Sequence, residues 1–229
     1  SVLMSNLIQK VCNWSGQMFA LSLLISCLLL GFILPFPSAL DAYDFARYYD
    51  ENRLVIRIGG TLVMQASVLM MLWIAAISMQ LRRIEVGPPI LSTLQAIFGS
   101  CGNFLFIFVA AAWSLAAFRP EREATEIQAL NDLGWFLLLM PATLLTAQAL
   151  AIGLVVLLDQ REKPLFERWG GYFNIWIAIL FLPGALITFF KTGPFSWDGV
   201  LVFWLALTLF LSWLLVMAVA VTKAINTDS

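Results

Sequence analysis

Histidine is absent from the 229 residues, and charge is scarce: 13 Lys and Arg against 14 Asp and Glu, 12% of the chain. Without imidazole the chain cannot offer His-ligated haem, His-ligated chlorophyll or His-based metal sites. Ser-His-Asp and Cys-His catalytic sets are excluded for the same reason. Three cysteines, Cys12, Cys27 and Cys101, form neither a paired framework nor a Cys-x-x-Cys motif. They read as small core residues, and no metal site or cofactor is expected. The net charge of −1 supplies no field for nucleic acid. A soluble domain carries about 25% charged residues. A chain with half that fraction cannot cover a water-facing surface, so lipid is its expected solvent.

Hydrophobic residues make up 61% of the chain. Six windows hold no Asp, Glu, Lys or Arg: Val11–Leu40, Ile58–Leu81, Val86–Phe118, Leu133–Leu158, Trp169–Phe190 and Gly199–Thr222. Each suffices for a spanning helix, which needs about 20 mostly apolar residues. None alternates polar with apolar residues as a barrel strand would. The expected fold is therefore all-α, a polytopic bundle of six transmembrane helices. With no repeat and no long linker, residues 1–229 read as one domain, with spans at about 14–36, 58–81, 90–117, 133–158, 169–190 and 199–221.

Residues 1–10, with Leu3, Leu7 and Val11 at helical spacing, suit a lead lying on the membrane surface. The apolar run Met18–Leu34 is long for the core of a signal peptide, so the first span is expected to be retained. The polar stretch Asp41–Arg57 with its tyrosines suits a separate short interfacial helix.

Six spans put both termini on one side. That side holds seven bases, Lys10, Arg82, Arg83, Arg161, Lys163, Arg168 and Lys223, against six on the other. Arg82-Arg83 and the group Arg161, Lys163 and Arg168 sit in short turns, where the positive-inside rule applies best. Both termini are expected in the cytoplasm, in a plasma (inner) membrane. The outer acids, among them Asp41, Asp44, Asp50, Glu51, Glu121, Glu123, Glu126 and Asp198, show no ordered ligand spacing and read as solvated loop charge.

Candidate sites are few. Gln65, Asn103 and Gln148 fall well inside spans, where an amide needs a partner across helices. They are candidates for a polar ligand pocket, with interhelical glue the favoured reading. Pro141 and Pro183 lie at matching depths, about 12 Å from the outer ends of spans four and five, and kinks at one level can open a cavity. Small residues mark close packing: Gly99 and Gly102 beside Gln95 and Asn103 in span three, Gly153 in span four and Gly171 in span five. Span three is expected to be the most buried helix. Trp14, Trp73, Trp113, Trp135, Trp169 and Trp197 are placed at interfaces and Trp176, Trp204 and Trp213 deeper.

No Asp, Glu, Lys, Arg or His interrupts any window, and proton relays and many ion-coupled carriers need one. The leading expectation is a non-enzymatic transmembrane subunit, packed against a protein partner or its own copies. The alternatives are a carrier or binding protein for a small neutral or lipophilic molecule, and an enzyme using carboxylates such as Asp132 and Asp198 at the outer surface.

Overall fold

The structure, a computed structural model, describes residues 2–29, 31, 35 and 37–227, with side chains from residue 4 onward. It is an all-helical bundle with six segments long and apolar enough to cross a membrane. The protein is thus a multi-pass membrane protein by length and composition. The helices are α1 (Val2–Leu29), α2 (Ala42–Leu81), α3 (Ile90–Ala116), α4 (Ala124–Leu139), α5 (Ala142–Leu158), α6 (Arg168–Phe181) and α7 (Leu205–Asn226). A 3₁₀ segment, Leu182–Phe189, extends α6, and a π-helical turn, Val200–Trp204, leads into α7.

Two expected breaks are missing. Residues 2–10 continue directly into the first span, and no separate surface helix forms. The stretch Asp41–Arg57 likewise runs unbroken into span two, giving one helix of 40 residues. At 1.5 Å per residue it is about 60 Å long, twice a hydrocarbon core, so its first turns stand clear of the apolar zone. The local reasons are plain. The Asp41 carboxylate caps the helix by accepting from the Asp44 N–H at 2.9 Å. Arg47 pairs with Asp44, and Arg53 with Asp50, one turn apart. No Gly or Pro interrupts residues 42–58, and Gly60 lies against Ser114 and the Ala110 carbonyl of α3.

The expected first span reaches residue 36, but α1 ends at Leu29. Residues 30, 32–34 and 36 lie outside the described residues. Span four begins nine residues earlier than expected, at Ala124, and is broken at Pro141 into α4 and α5. Proline lacks the N–H a continuous helix requires and its ring clashes with the preceding turn. Pro183 acts likewise, and the chain tightens into 3₁₀ form from Leu182.

One end of the bundle gathers both ends of the chain. Gln80 Nε2 donates to Gln9 Oε1 at 2.5 Å, Arg83 to the Ala224 carbonyl at 3.0 Å, and Lys223 to Glu167 at 2.9 Å. The opposite end gathers the connections near residues 40, 120 and 195. There Gln128 donates to the Leu40 carbonyl at 3.4 Å, and the Ser38 hydroxyl bonds the Lys191 carbonyl.

The apolar core divides along the bundle axis. One cluster packs Phe19, Trp73, Ile77, Ile152, Phe181, Trp213 and Met217. The other, toward the end opposite the termini, packs Phe45, Tyr49, Trp113, Trp135, Trp197 and Phe203. Trp73, Trp135 and Trp213 are wholly buried, and Trp113 and Trp197 nearly so. Of the six tryptophans expected at interfaces, only Trp14 and Trp169 are exposed. An indole buries more apolar area in a core than any other side chain, and here that gain outweighs anchoring. Of the three expected at greater membrane depth, free to line a site, pack or face lipid, Trp213 is buried and Trp176 faces outward with 62% of its surface exposed.

The most buried helix is α2, not α3: half of its apolar window is buried against 39% for α3. The cause is position. α2 packs against α1, α3, α4, α5 and α7, whereas Ile97, Phe104 and Phe108 of α3 face outward. Cys101, read as a core residue, is also exposed.

Candidate functional site

Polar groups within the spans are used mainly to join one helix to the next. Asn13 of α1 donates to the Ala218 carbonyl and Thr222 hydroxyl of α7, at 2.7 and 3.0 Å. Ser15 donates to the Leu69 carbonyl of α2 at 2.7 Å, and Thr146 of α5 to the Ala178 carbonyl of α6 at 2.9 Å. Asn174 of α6 accepts from the Trp213 indole N–H of α7 at 2.8 Å. An apolar surround makes each such bond costly to leave unmade.

At the centre lies a chain of amides. Gln95 Nε2 donates to the Ile74 carbonyl of α2 at 3.1 Å, and its Oε1 accepts from Gln148 Nε2 of α5 at 3.3 Å. Gln95 and Gln148 are fully buried, so three helices are linked through two side chains. Gly99 makes the room: a Cβ at that position would lie 2.5 Å from Gln148 Nε2. One turn on, Asn103 Nδ2 donates to the Ser67 carbonyl of α2 at 2.8 Å. Asn103 Oδ1 and Gln148 Oε1 are buried without a partner among the described residues.

The three candidate amides are therefore not brought together as one pocket. Asn103 and Gln148 face inward on different bonds, and Gln65 faces outward on α2. The reason is helical phase. Gln65 shares its face with Ile58, Thr61, Val68, Leu72, Ala75 and Met79, all exposed, while Ala66, Ser67, Met70 and Trp73 point into the bundle. Gln65 has no hydrogen-bond partner among the described residues. Sequence reasoning missed Gln95 as the link between Ile74 and Gln148, although its four-residue spacing from Gly99 had marked the face.

The glycines differ in what they permit. Gly153 and Gly171 mark a close crossing of α5 and α6, where a Cβ on Gly153 would stand 2.9 Å from the Gly171 carbonyl oxygen. Gly102 has ordinary room, since a Cβ there would lie 3.7 Å from Leu144 Cβ.

Pro141 and Pro183 do come together. The two broken spans cross where Gly184 meets the Leu139 carbonyl oxygen and Ala142; a Cβ on Gly184 would stand 2.7 Å from that oxygen. Beside the crossing is an apolar cleft of about 120 Å³, lined by Leu23, Cys27, Phe106, Phe181, Phe203 and Phe210 among others. It offers apolar contact and shape and scarcely any polar group.

The carboxylates at the end opposite the termini do not assemble. Asp198 accepts from Ser196 at 2.7 Å and Ser38 at 3.2 Å, which fastens the 193–199 turn to the 38–40 connection. Asp132 is half-buried on α4, next to Asn131, whose Oδ1 accepts from Tyr49 at 3.2 Å. Among the described residues no group of three His, Cys, Asp or Glu can hold a metal ion.

At the terminal end, Asp159 fixes the α5–α6 connection. It receives two bonds from the Arg161 guanidinium, both at 2.8 Å, and the Leu165 N–H at 2.9 Å. Burial by itself raises the carboxyl, but the Arg161 side chain and the Leu165 and Arg161 amides outweigh it and hold it below the usual carboxylate value. No family model, curated protein or solved structure matches this chain.

Proposed function

We propose that this protein is a non-catalytic membrane subunit that associates, with its own copies or a partner, through the outward face of α2. The observation that carries this reading is Gln65. It lies eight residues from Arg57, hence about 12 Å into the charge-free segment, and it is exposed. A primary amide in hydrocarbon seeks a donor and an acceptor, and the described residues supply neither there. The face around it, Ile58, Thr61, Gln65, Val68, Leu72, Ala75 and Met79, alternates steps of three and four, the spacing of a helix–helix seam. An amide is also its own complement, since its N–H and C=O can pair with those of an identical side chain across a two-fold axis. The absence of any carboxylate, thiol or imidazole set among the described residues leaves this interface as the best-supported chemistry. The terminal end, with its short basic turns, faces the cytoplasm in this reading, and the membrane is the plasma (inner) membrane.

Purification in mild detergent tests the proposal. The wild type runs as an oligomer or with a companion protein, Gln65→Leu shifts it toward monomer, and the thermal midpoint of the monomer is unchanged. A wild type that is monomeric and unaccompanied even in the mildest detergent overturns it.

The crossing of the two broken spans favours a second reading, a binding site for a small lipophilic molecule. The cleft beside Gly184 is apolar and drawn from α1 and from every helix between α3 and α7. Ala206→Trp, which fills it, abolishes binding of a lipophilic fluorophore in that reading, while Gln65→Leu leaves binding intact.

A further inference from the structure

We propose that the groove between α6 and α7 at the terminal end is a phospholipid site that selects a zwitterionic headgroup carrying a primary ammonium. It is a different surface from the α2 face and does not depend on the association argued above.

The groove measures about 480 Å³ and is walled by Leu165, Phe166, Leu215, Val216, Val219 and Ala220. From Lys223 to Leu215 it follows α7 for about 12 Å. Its floor is Asn174 and Met217, and the Asn174 amide is already satisfied. Nδ2 donates to the Gly170 carbonyl at 2.8 Å and contacts Met217 Sδ at 3.4 Å, while Oδ1 accepts from Trp213. No polar group on the floor waits for a ligand, so the body of the occupant is apolar, as an acyl chain is.

The mouth is charged and dipolar. Lys223 Nζ lies 2.9 Å from Glu167 Oε1, and the Trp169 indole N–H donates to Glu167 Oε2 at 2.6 Å. Both charged side chains are largely exposed, 64% and 59%. The Lys223 ammonium, then the Trp169 N–H, hold the Glu167 carboxyl below its usual value. One cation beside one anion complements a headgroup with a phosphate beside an ammonium. The phosphate meets Lys223 and the ammonium meets Glu167. A primary ammonium donates hydrogen bonds to the carboxylate, whereas a quaternary one has no N–H to donate. A purely anionic headgroup satisfies Lys223 but brings like charge to Glu167. Trp169, 53% exposed at the same mouth, is a residue type favoured at the headgroup level.

The test uses the full chain, delipidated in detergent and offered equimolar dioleoyl phosphatidylethanolamine, phosphatidylcholine and phosphatidylglycerol, with retained lipid read by native mass spectrometry. The ethanolamine lipid is expected to be retained about fivefold over the choline lipid, the worth of about one net hydrogen bond. Glu167→Gln, at an exposed site, is expected to reduce that ratio to about one with the thermal midpoint unchanged. Ala220→Trp, which fills the groove, is expected to abolish retention of all three. Free phosphoethanolamine, lacking acyl chains, is expected not to compete. Equal retention of the ethanolamine and choline lipids by the wild type overturns the proposal. So do tighter retention of phosphatidylglycerol, an unchanged ratio in Glu167→Gln, and competition by free phosphoethanolamine.

Discussion

Four glycines on the packed faces of this bundle meet four different neighbours, and the neighbour decides what a methyl group costs. At Gly184 and Gly153 the new Cβ would stand 2.7 and 2.9 Å from a backbone carbonyl oxygen, which cannot turn aside. Gly184→Ala and Gly153→Ala are each expected to cost about 1–3 kcal/mol, because whole helices must separate. At Gly99 the obstacle is the end of the Gln148 side chain. Gly99→Ala therefore displaces an amide rather than a helix and is expected to cost about 1 kcal/mol, the net worth of the Gln95–Gln148 bond. Gly102→Ala meets only ordinary contact and is expected to be near neutral. Thermal midpoints of the four variants in one detergent check the order, and Gln148→Ala should largely remove the cost of Gly99→Ala in a double-mutant cycle. Asp159 carries a pH dependence. Its folded carboxyl lies below the unfolded value of about 3.9, so its stabilisation is complete above that value and is lost as pH falls through the folded value. Asp159→Asn is expected to lower the thermal midpoint at pH 7 and to flatten its decline in acid, measured by thermal melts across pH.

The helices are held in pairs by single polar stitches rather than by continuous polar faces. Among them Asn174 binds most: it serves the Gly170 carbonyl, Met217 and the Trp213 indole at once. Asn174→Leu leaves the buried Trp213 N–H without its acceptor, and the cost is expected at about 1–3 kcal/mol. Thr146→Val removes only one exchangeable bond, to the Ala178 carbonyl, and is expected to cost about 1 kcal/mol or less. Chemical or thermal unfolding, followed by tryptophan fluorescence, separates the two, since only the first alters the surroundings of Trp213. Both proline breaks belong to this scale as well. Each interrupts one span, and they matter jointly because Gly184 allows one break to lie against the other.

For the whole molecule, the bonds from Gln80 to Gln9, from Arg83 to Ala224 and from Lys223 to Glu167 place residues 9, 80, 167 and 224 at one end. Single cysteines at Asp50, Glu123 and Thr192, in a background lacking Cys12, Cys27 and Cys101, are thus expected to share one side, and one at Glu162 the other. With the terminal end in the cytoplasm, an impermeant reagent labels the first three on intact cells and spares Glu162. The reverse pattern inverts the proposed orientation.

Composition alone determined the fold class and the count of spans. A 12% share of charge, confined to the gaps between six apolar windows, leaves helices in lipid as the outcome that satisfies every backbone group. Proline chemistry likewise marked both breaks in advance, because a missing N–H is a local fact. Tertiary structure decided what depends on rotation about a helix axis and on which helix lies alongside. Gln65, Asn103 and Gln148 look alike along the chain, yet phase turns the first outward and the other two inward. Trp73 and Trp135 sit near window ends like Trp14 and Trp169, but neighbours cover the first two and leave the others bare. The α6–α7 groove has no mark in the sequence at all. Its walls come from residues 156–174 and 215–227, and only the tertiary fold brings an apolar slot beside the Lys223–Glu167 pair.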